Sequence, residues 1–405
     1  MTELLSPAGN YEKFLSAVRF GADAVYLAGK TFGMRTAAEN FTDEELSSAV
    51  KYAHGLGRRV YVTVNTMPRT DEYPMLEKYL ARLGDIAPDA LIISDPGVFT
   101  LARKIVPDID IHISTQNGVV SAADCLFWRS LGAKRAVLAR ELSLDEIIKI
   151  RAAVPSDFEI ETFVHGSMCV SFSGRCLLSN ALTGRDGNRG ACAQPCRWNY
   201  TITEEKRPGM PMPVEQTPDG TFIMSSKDMC MVQHVPELIR AGITSFKIEG
   251  RMKSAYYTAV VTNAYRAAID GYLSLGDMYV FDEKWLDELE SVSHREYCTG
   301  YFYDSPSENA QTCTKPGYIR DKAYLGVALG SCAAGELCAF MQKNKFCEHD
   351  GVEIVSPGRF GRGFRADEIF GEDGGRIESV PHPEMKFYLR VPFDVCEGDI
   401  LRGEN

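Results

Sequence analysis

The sequence predicts an α/β fold: a (β/α)8 TIM-like barrel over residues 1–310, with a Cys-rich insertion between strands seven and eight and a small C-terminal β-barrel domain over 315–405. Three observations predict it. Short β-branched or apolar runs recur through the first 250 residues, with helical stretches between most of them. Several of those stretches close on a similar phrase (FGADAVYL, HGLGRRVYV, APDALII, LGAKRAVL, AGITSFKI), in which a small or turn residue ends a helix and the chain re-enters as a strand. Finally, no Gly-rich dinucleotide fingerprint follows the first run, where an open doubly wound sheet would carry one.

Taken in order, the runs place strands at 3–6, 24–28, 60–65, 90–94, 111–115, 136–139, 160–164 and 245–248. The spacing breaks once. About 80 residues separate His165, at the end of strand seven, from Ser245, so 166–244 is an insertion. Its middle holds Pro208, Pro211, Pro213 and Pro218 between strand-like 200–203 and 221–224, which predicts a protruding hairpin. Helical patterns follow over 252–272 and 283–292. Beyond Lys315-Pro316-Gly317 the texture changes to short alternating segments (324–329, 337–342, 352–355, 376–380, 386–391) between Gly, Pro and acidic turns, the pattern of a small β domain.

Composition bounds the function. With 45% hydrophobic, 24% charged and 10% aromatic residues the chain is globular rather than disordered or coiled-coil. No stretch approaches the roughly 20 apolar residues that cross a bilayer, and MTELLSPAGNYEKF lacks the basic and apolar regions of a secretory signal, so a cytoplasmic protein with no membrane partner is expected. Forty-four basic against 55 acidic residues give a net charge of −11, which argues against a general nucleic-acid coat but not against a local basic patch.

In a barrel, chemistry sits where strands end at the carboxyl face. Polar residues at those ends are Lys30, Asn65, Asp95, Gln116, Arg140, Glu141, His165, Glu249 and Arg251. Of twelve cysteines, Cys169, Cys176, Cys192, Cys196 and Cys230 fall on or beside the insertion, whose two ends are both anchored at the barrel mouth. Converging thiolates in a reducing compartment hold zinc or an iron–sulfur cluster, or are simply buried apolar groups, and the spacing leaves all three open. The tight C-x2-C pairs of zinc ribbons and the C-x2-C-x2-C run of ferredoxins are both absent. The remaining seven cysteines read as small core residues. Arg175, Arg185, Arg189 and Arg197 stand against one acid, Asp186, and Lys247, Arg251 and Lys253 leave strand eight toward the same rim. Such a patch suits a phosphate backbone or an anionic small molecule.

At these residues the sequence resembles a known family. ETFVHGSMCVSFSGRC (161–176), GNRGACAQPCR (187–197), SSKDMC (225–230) and FKIEGRMKSAYY (246–257), with the opening LLSPAGNYEKFLSAVRFGADAVYLAG and the late SHREYCTGYF, are similar to the U32 peptidase, or collagenase-like, family. The nearest members in pattern are tRNA-modifying proteins that hydroxylate C5 of the wobble uridine without molecular oxygen, with prephenate implicated as the oxygen source. The resemblance therefore implies a tRNA hydroxylase whose Cys169, Cys176, Cys192 and Cys230 hold a [4Fe–4S] cluster, with zinc as the alternative and Cys196 as a possible replacement ligand. It implies as partners a tRNA anticodon loop, prephenate or a similar small anion, and a related U32 subunit in parts of the family.

Under that reading Glu161, His165 and Glu249 are candidates for proton transfer or base-edge recognition. Arg185, Arg189, Lys247 and Arg251 are candidates for phosphate or carboxylate contacts, the guanidinium fork suiting both. The C-terminal domain, with Lys343, Lys345, Arg359, Arg362 and Arg365, would add RNA surface or serve as scaffold. The alternative is a U32-type peptidase, although neither H-E-x-x-H nor G-x-S-x-G occurs in the chain.

Overall fold

Runs such as RVYVTV and ALII have no polar alternation, as expected of parallel strands covered on both faces, and in the computed structural model they form the wall of a closed barrel. The structure describes residues 2–34, 39–169, 171–198, 216–217, 220–221, 226–303 and 318–404. The elements of the first part are β1 (Glu3–Pro7), α1 (Tyr11–Arg19), β2 (Ala24–Leu27), α2 (Asp43–Gly55), β3 (Arg59–Val64), α3 (Tyr73–Ile86), β4 (Ala90–Ile93), α4 (Pro96–Ile105), β5 (Asp110–Ile113), α5 (Ala122–Ser130), β6 (Arg135–Val137), α6 (Leu144–Ala153) and β7 (Glu159–Ser167). The insertion and the return to the barrel supply α7 (Leu178–Thr183), β8 (Gln216–Thr217), β9 (Gly220–Thr221), β10 (Asp228–Cys230), α8 (Val235–Arg240) and β11 (Ser245–Ile248).

Strands β1 to β7 pair in parallel with their neighbours in chain order, and β11 closes the ring by pairing in parallel with both β7 and β1. This is the expected eight-stranded barrel. The helices start where the sequence offers caps: Thr42 with Glu45 and Ser143 with Glu146 form capping boxes, and Asp95 accepts the Val98 N–H at 3.0 Å. Asp95, read from sequence as a polar strand end, is thus a helix cap. The hairpin expected around 200–224 lies outside the described residues, apart from the β8–β9 backbone pair.

One feature was not expected. β10 pairs antiparallel with the end of β7, Cys230 opposite His165, and β12 (Tyr297–Cys298) pairs in parallel with β10. The barrel mouth therefore carries a short two-strand extension beside β7. It is fixed by Asp228, which accepts from Arg295 Nη2 at 2.8 Å and Nε at 3.0 Å, both residues being almost wholly buried. Burial pushes the Asp228 carboxyl up, but the charges of Arg295 and Lys253 together with the hydrogen bonds from Arg295 hold it below its ordinary value.

The chain divides into two compact units, the second made of 15–21, 254–294 and 319–405. Its helices are α9 (Ala255–Leu275) and α10 (Lys284–Glu290). Its strands are β13 (Lys322–Ala328), β14 (Leu337–Gln342), β15 (Gly351–Val355), β16 (Arg362–Arg365), β17 (Ile369–Phe370), β18 (Lys386–Arg390) and β19 (Ile400–Glu404). They form one antiparallel sheet in the order β16-β15-β19-β13-β14-β18-β17, a half-barrel around Leu325, Phe340, Ile354, Phe387 and Leu401. The segment expected as a strand at 376–380 contributes only isolated bridges, from Arg376 to Phe370 and from Ser379 to Cys347. Arg402 on β19 reaches Glu288 on α10 at 2.7 and 2.8 Å and Glu353 on β15 at 2.7 Å. Arg362 covers the Phe393 ring at 4.1 Å, and Arg365 pairs with Asp367, so two of the cations expected to offer RNA surface have partners within the C-terminal domain. Among the described residues no helix is long and apolar enough to cross a membrane.

Candidate functional site at the barrel mouth

Strand alternation turns every second residue of the barrel inward. Here the deep inward positions are charged. Glu161 on β7 receives Arg135 Nη1 at 2.8 Å on one oxygen and Lys247 Nζ at 2.7 Å on the other. Arg135 also reaches Glu3 at 2.7 Å and Glu159 at 2.5 Å, and Glu3 takes the Tyr61 hydroxyl at 2.6 Å and Ser245 Oγ at 2.8 Å. Glu3, Arg135, Glu161 and Lys247 are all buried, two acids against two bases, so the interior is neutral in sum. Burial alone raises the Glu3 carboxyl, yet Arg135, Arg59 and the Tyr61 hydroxyl together draw it below its usual value. His112, stacked edge-on to Tyr61 at 4.7 Å, is held far below 6.5, first by burial and then by Arg135 and Lys247.

Above this layer lies the carboxyl rim. His165 is buried with its ring 5.4 Å from that of Tyr297, and Cys230 stands across from it on the neighbouring strand, sharing its face. Glu249, partly exposed, lies 3.5 Å from the Tyr26 hydroxyl and 3.7 Å from Arg140 Nη2. Arg140 also donates to the Ser167 carbonyl at 2.7 Å and lies over the Phe163 ring at 3.9 Å. Arg251 is buried, donating to Asn40 Oδ1 at 2.6 Å and Thr63 Oγ1 at 3.3 Å. Its carbonyl leaves no room for a side chain at Gly9, where a Cβ would stand 2.1 Å away.

The insertion is tied to this rim by polar contacts. Glu141 accepts the Ser173 N–H at 2.9 Å, and Arg189 Nη2 lies 2.9 Å from both oxygens of Glu72. Asn188 donates to the Cys176 carbonyl at 2.8 Å. Arg185 is exposed, and among the described residues its hydrogen bonds are those of its backbone, with Ser179 and Thr183.

The four expected ligand cysteines lie on backbone that leaves and re-enters this end of the barrel. Cys169 is two residues past β7, Cys176 and Cys192 flank α7, and Cys230 ends β10. Cys169, Cys176 and Cys192 form no disulfide, and Cys169 and Cys192 are exposed. By the chemistry of the donors, four thiols fit an iron–sulfur cluster or zinc. Among the described residues no three His, Cys, Asp or Glu side chains are gathered closely enough to hold a metal ion. Cys125 and Cys338, outside the insertion, are buried, and burial pushes the Cys125 thiol up to about 12, the behaviour of a core residue.

The structure thus brings Glu161 and Lys247 into direct contact, sets His165 beside Cys230, and places Glu249 by Tyr26 and Arg140. It commits Arg251 and Arg189 to Asn40, Thr63 and Glu72. Arg135 and Tyr26 were not singled out from sequence. Their signal was the two-residue alternation of their strands, which marks them as inward-facing.

The family model for peptidase family U32 matches residues 9–312, and that for the U32 C-terminal domain matches 320–402. The chain is 37% identical over 400 residues to "tRNA hydroxylation protein P1" of Bacillus subtilis, covering 99% of this chain and 94% of that one. It is 35% identical over 433 residues to "tRNA hydroxylation protein P" of Escherichia coli, covering 97% and 94%. A third relative, a 23S rRNA 5-hydroxycytidine synthase of Escherichia coli, is 38% identical over 323 residues, covering 78% of this chain and 47% of that one. Neither of the first two is named for proteolysis. With both family models matched in sequence order on a barrel and a following β domain, this chain belongs to peptidase family U32.

Proposed function

We propose that this protein is a tRNA-hydroxylating enzyme acting on C5 of the wobble uridine, without molecular oxygen and with prephenate or a similar small anion as oxygen source. The observation that carries the reading is the near full-length similarity to proteins named for tRNA hydroxylation, on a chain with Cys169, Cys176, Cys192 and Cys230 between the end of β7 and the start of β11. Replacing C5–H by C5–OH is a two-electron oxidation of the ring, so the oxygen donor must be reduced in the same cycle.

Cys169, Cys176, Cys192 and Cys230 would hold a [4Fe–4S] cluster, which supplies redox chemistry that side chains lack. The remaining work falls to the chain's own groups. A single-stranded anticodon loop can present an unstacked base to a barrel mouth without breaking a duplex. Arg185, exposed on the insertion, would take a backbone phosphate. Glu249 is placed to hold a proton near a bound base, with the Tyr26 hydroxyl and Arg140 beside it. Arg251 and Lys247 would act on substrate through the rim they hold, since their head groups already contact Asn40, Thr63 and Glu161.

The test is anaerobic purification with iron, sulfide and zinc counted per chain, followed by nucleoside mass spectrometry of tRNA from a deletion strain carrying wild type or Cys176→Ala. About four irons and four sulfides are expected for wild type, and loss of both cluster and hydroxyuridine for the variant. A variant that loses the cluster but retains full modification overturns the proposal. Added related U32 subunits in the same assay show whether a partner is needed.

A further inference from the structure

The insertion carries one feature that the proposed reaction does not use. Phe172 is 43% exposed, and among the described residues its ring contacts no other aromatic ring. Arg175, three residues on, is exposed and makes no ion pair among the described residues, whereas Arg140 and Arg189 on the same rim each have a carboxylate. The two side chains stand together over Gly118. A Cβ there would lie 3.6 Å from Phe172 Cε1 and 4.0 Å from Arg175 Nη2.

The backbone beneath this pair is fixed. Ser173 donates its N–H to Glu141, and its hydroxyl lies 3.2 Å from the same carboxylate. Gly174, at φ +73°, is so close to the Gln116 carbonyl that a Cβ would stand 2.0 Å from the oxygen. The turn carrying Gln116 is itself held, Asn117 donating to the Ser94 carbonyl and accepting from Trp128 Nε1. An exposed ring and a guanidinium with no ion pair among the described residues are therefore held on fixed backbone, four residues and one residue before Cys176.

That pairing has a specific use. Every base offers a π-face that stacks on an aromatic ring, and the phosphate beside it matches a guanidinium. We infer that Phe172 and Arg175 form a subsite for an unpaired nucleobase and its phosphate, on which a base of the single-stranded loop stacks while the target base occupies the barrel mouth. The inference rests on the RNA-modifying reading above and adds where the loop is gripped.

The experiment uses the anaerobically purified full-length protein and measures Kd for an anticodon stem-loop RNA and for a duplex of the same stem without the loop, across a salt series. Phe172→Ala weakens stem-loop binding about 5- to 150-fold, the range for removing one base stack, with an unchanged salt slope and iron content. Phe172→Trp restores it. Arg175→Ala lowers affinity and reduces the slope of log K against log salt by about 0.7, one single-strand phosphate contact. If wild type prefers the stem-loop and Phe172→Ala binds it equally well, the subsite is overturned and the hydroxylase reading stands. If wild type does not distinguish stem-loop from duplex, the RNA reading itself fails and the subsite with it.

Discussion

Glu161→Gln is the most informative single change in the barrel, because it removes the charge on which two buried cations converge. Arg135 would keep Glu3 and Glu159, but among the described residues Lys247 pairs with no other carboxylate. At 2.7 Å and an effective dielectric near 20, the Lys247–Glu161 attraction is about 6 kcal/mol before desolvation is subtracted. Breaking one side of such a buried pair costs about 3–5 kcal/mol net, because the stranded ammonium stays out of water. For a unit of this size, at about 2.1 cal/mol/K of unfolding entropy per residue, that corresponds to a fall of roughly 5–9 °C in Tm. Thermal unfolding of wild type, Glu161→Gln, and Glu161→Gln with Lys247→Met is the assay. The double variant removes the stranded charge and should recover about half of the loss, since the Met side chain still lies against Tyr26 and Phe163, where Lys247 now sits. A Glu161→Gln shift under about 3 °C, or a double variant no more stable than the single, refutes the account of the interior as a charge-balanced layer.

Two further outcomes follow from the same physics. His112 stays neutral in the folded protein well below 6.5, whereas the unfolded chain takes up its proton near that value. Its contribution is therefore full above pH 6.5 and is lost by about 1.4 kcal/mol per pH unit below it. His112→Phe should flatten unfolding stability between pH 6.5 and 5 relative to wild type, and an unchanged slope would refute the assignment. Asp228→Asn removes the carboxylate charge that meets buried Arg295, so stability should fall by about 3–5 kcal/mol, with faster hydrogen exchange at 228–230 and 295–298. Unchanged exchange there would show that the strand extension does not depend on this pair.

The barrel was legible because parallel strands covered on both faces read as unbroken apolar runs, so even the four residues of β4 stand out. β10 and β12 were not, since DMC and YC are too short to show a period, β10 pairing with the end of β7 and β12 with β10. β16 and β19 were hidden for another reason. RGFR and ILRGE carry arginines and glycines, and Arg402 is buried only because Glu288 and Glu353 come from distant parts of the chain. At the mouth, cysteine spacing marked the rim, and Glu161 and Lys247 fell on inward positions of recognised strands. Arg135 escaped notice because an arginine opening a strand reads as a solvated helix end. The contacts of Ser173 with Glu141 and of Arg189 with Glu72 span 32 and 117 residues. No local pattern encodes such pairings.

The make-up of the second unit bears on how the protein is born. Arg19 forms a 2.6 Å ion pair with Asp399, 380 residues later, and Gly21 accommodates Arg266 of α9, where a Cβ would stand 2.6 Å from Arg266 Cγ. At about 5–20 residues per second of synthesis, Arg19 waits on the order of 20–80 s for its partner to leave the ribosome. β19, third of seven across the sheet, is made after the other six, so the sheet cannot close before it arrives. In that interval α9, with Tyr257, Val261, Tyr265 and Ile269 on surfaces that end up buried, has no finished sheet to join. A nascent chain of this architecture carries a long apolar helix in need of shelter while the residues between Leu275 and Ile400 are made.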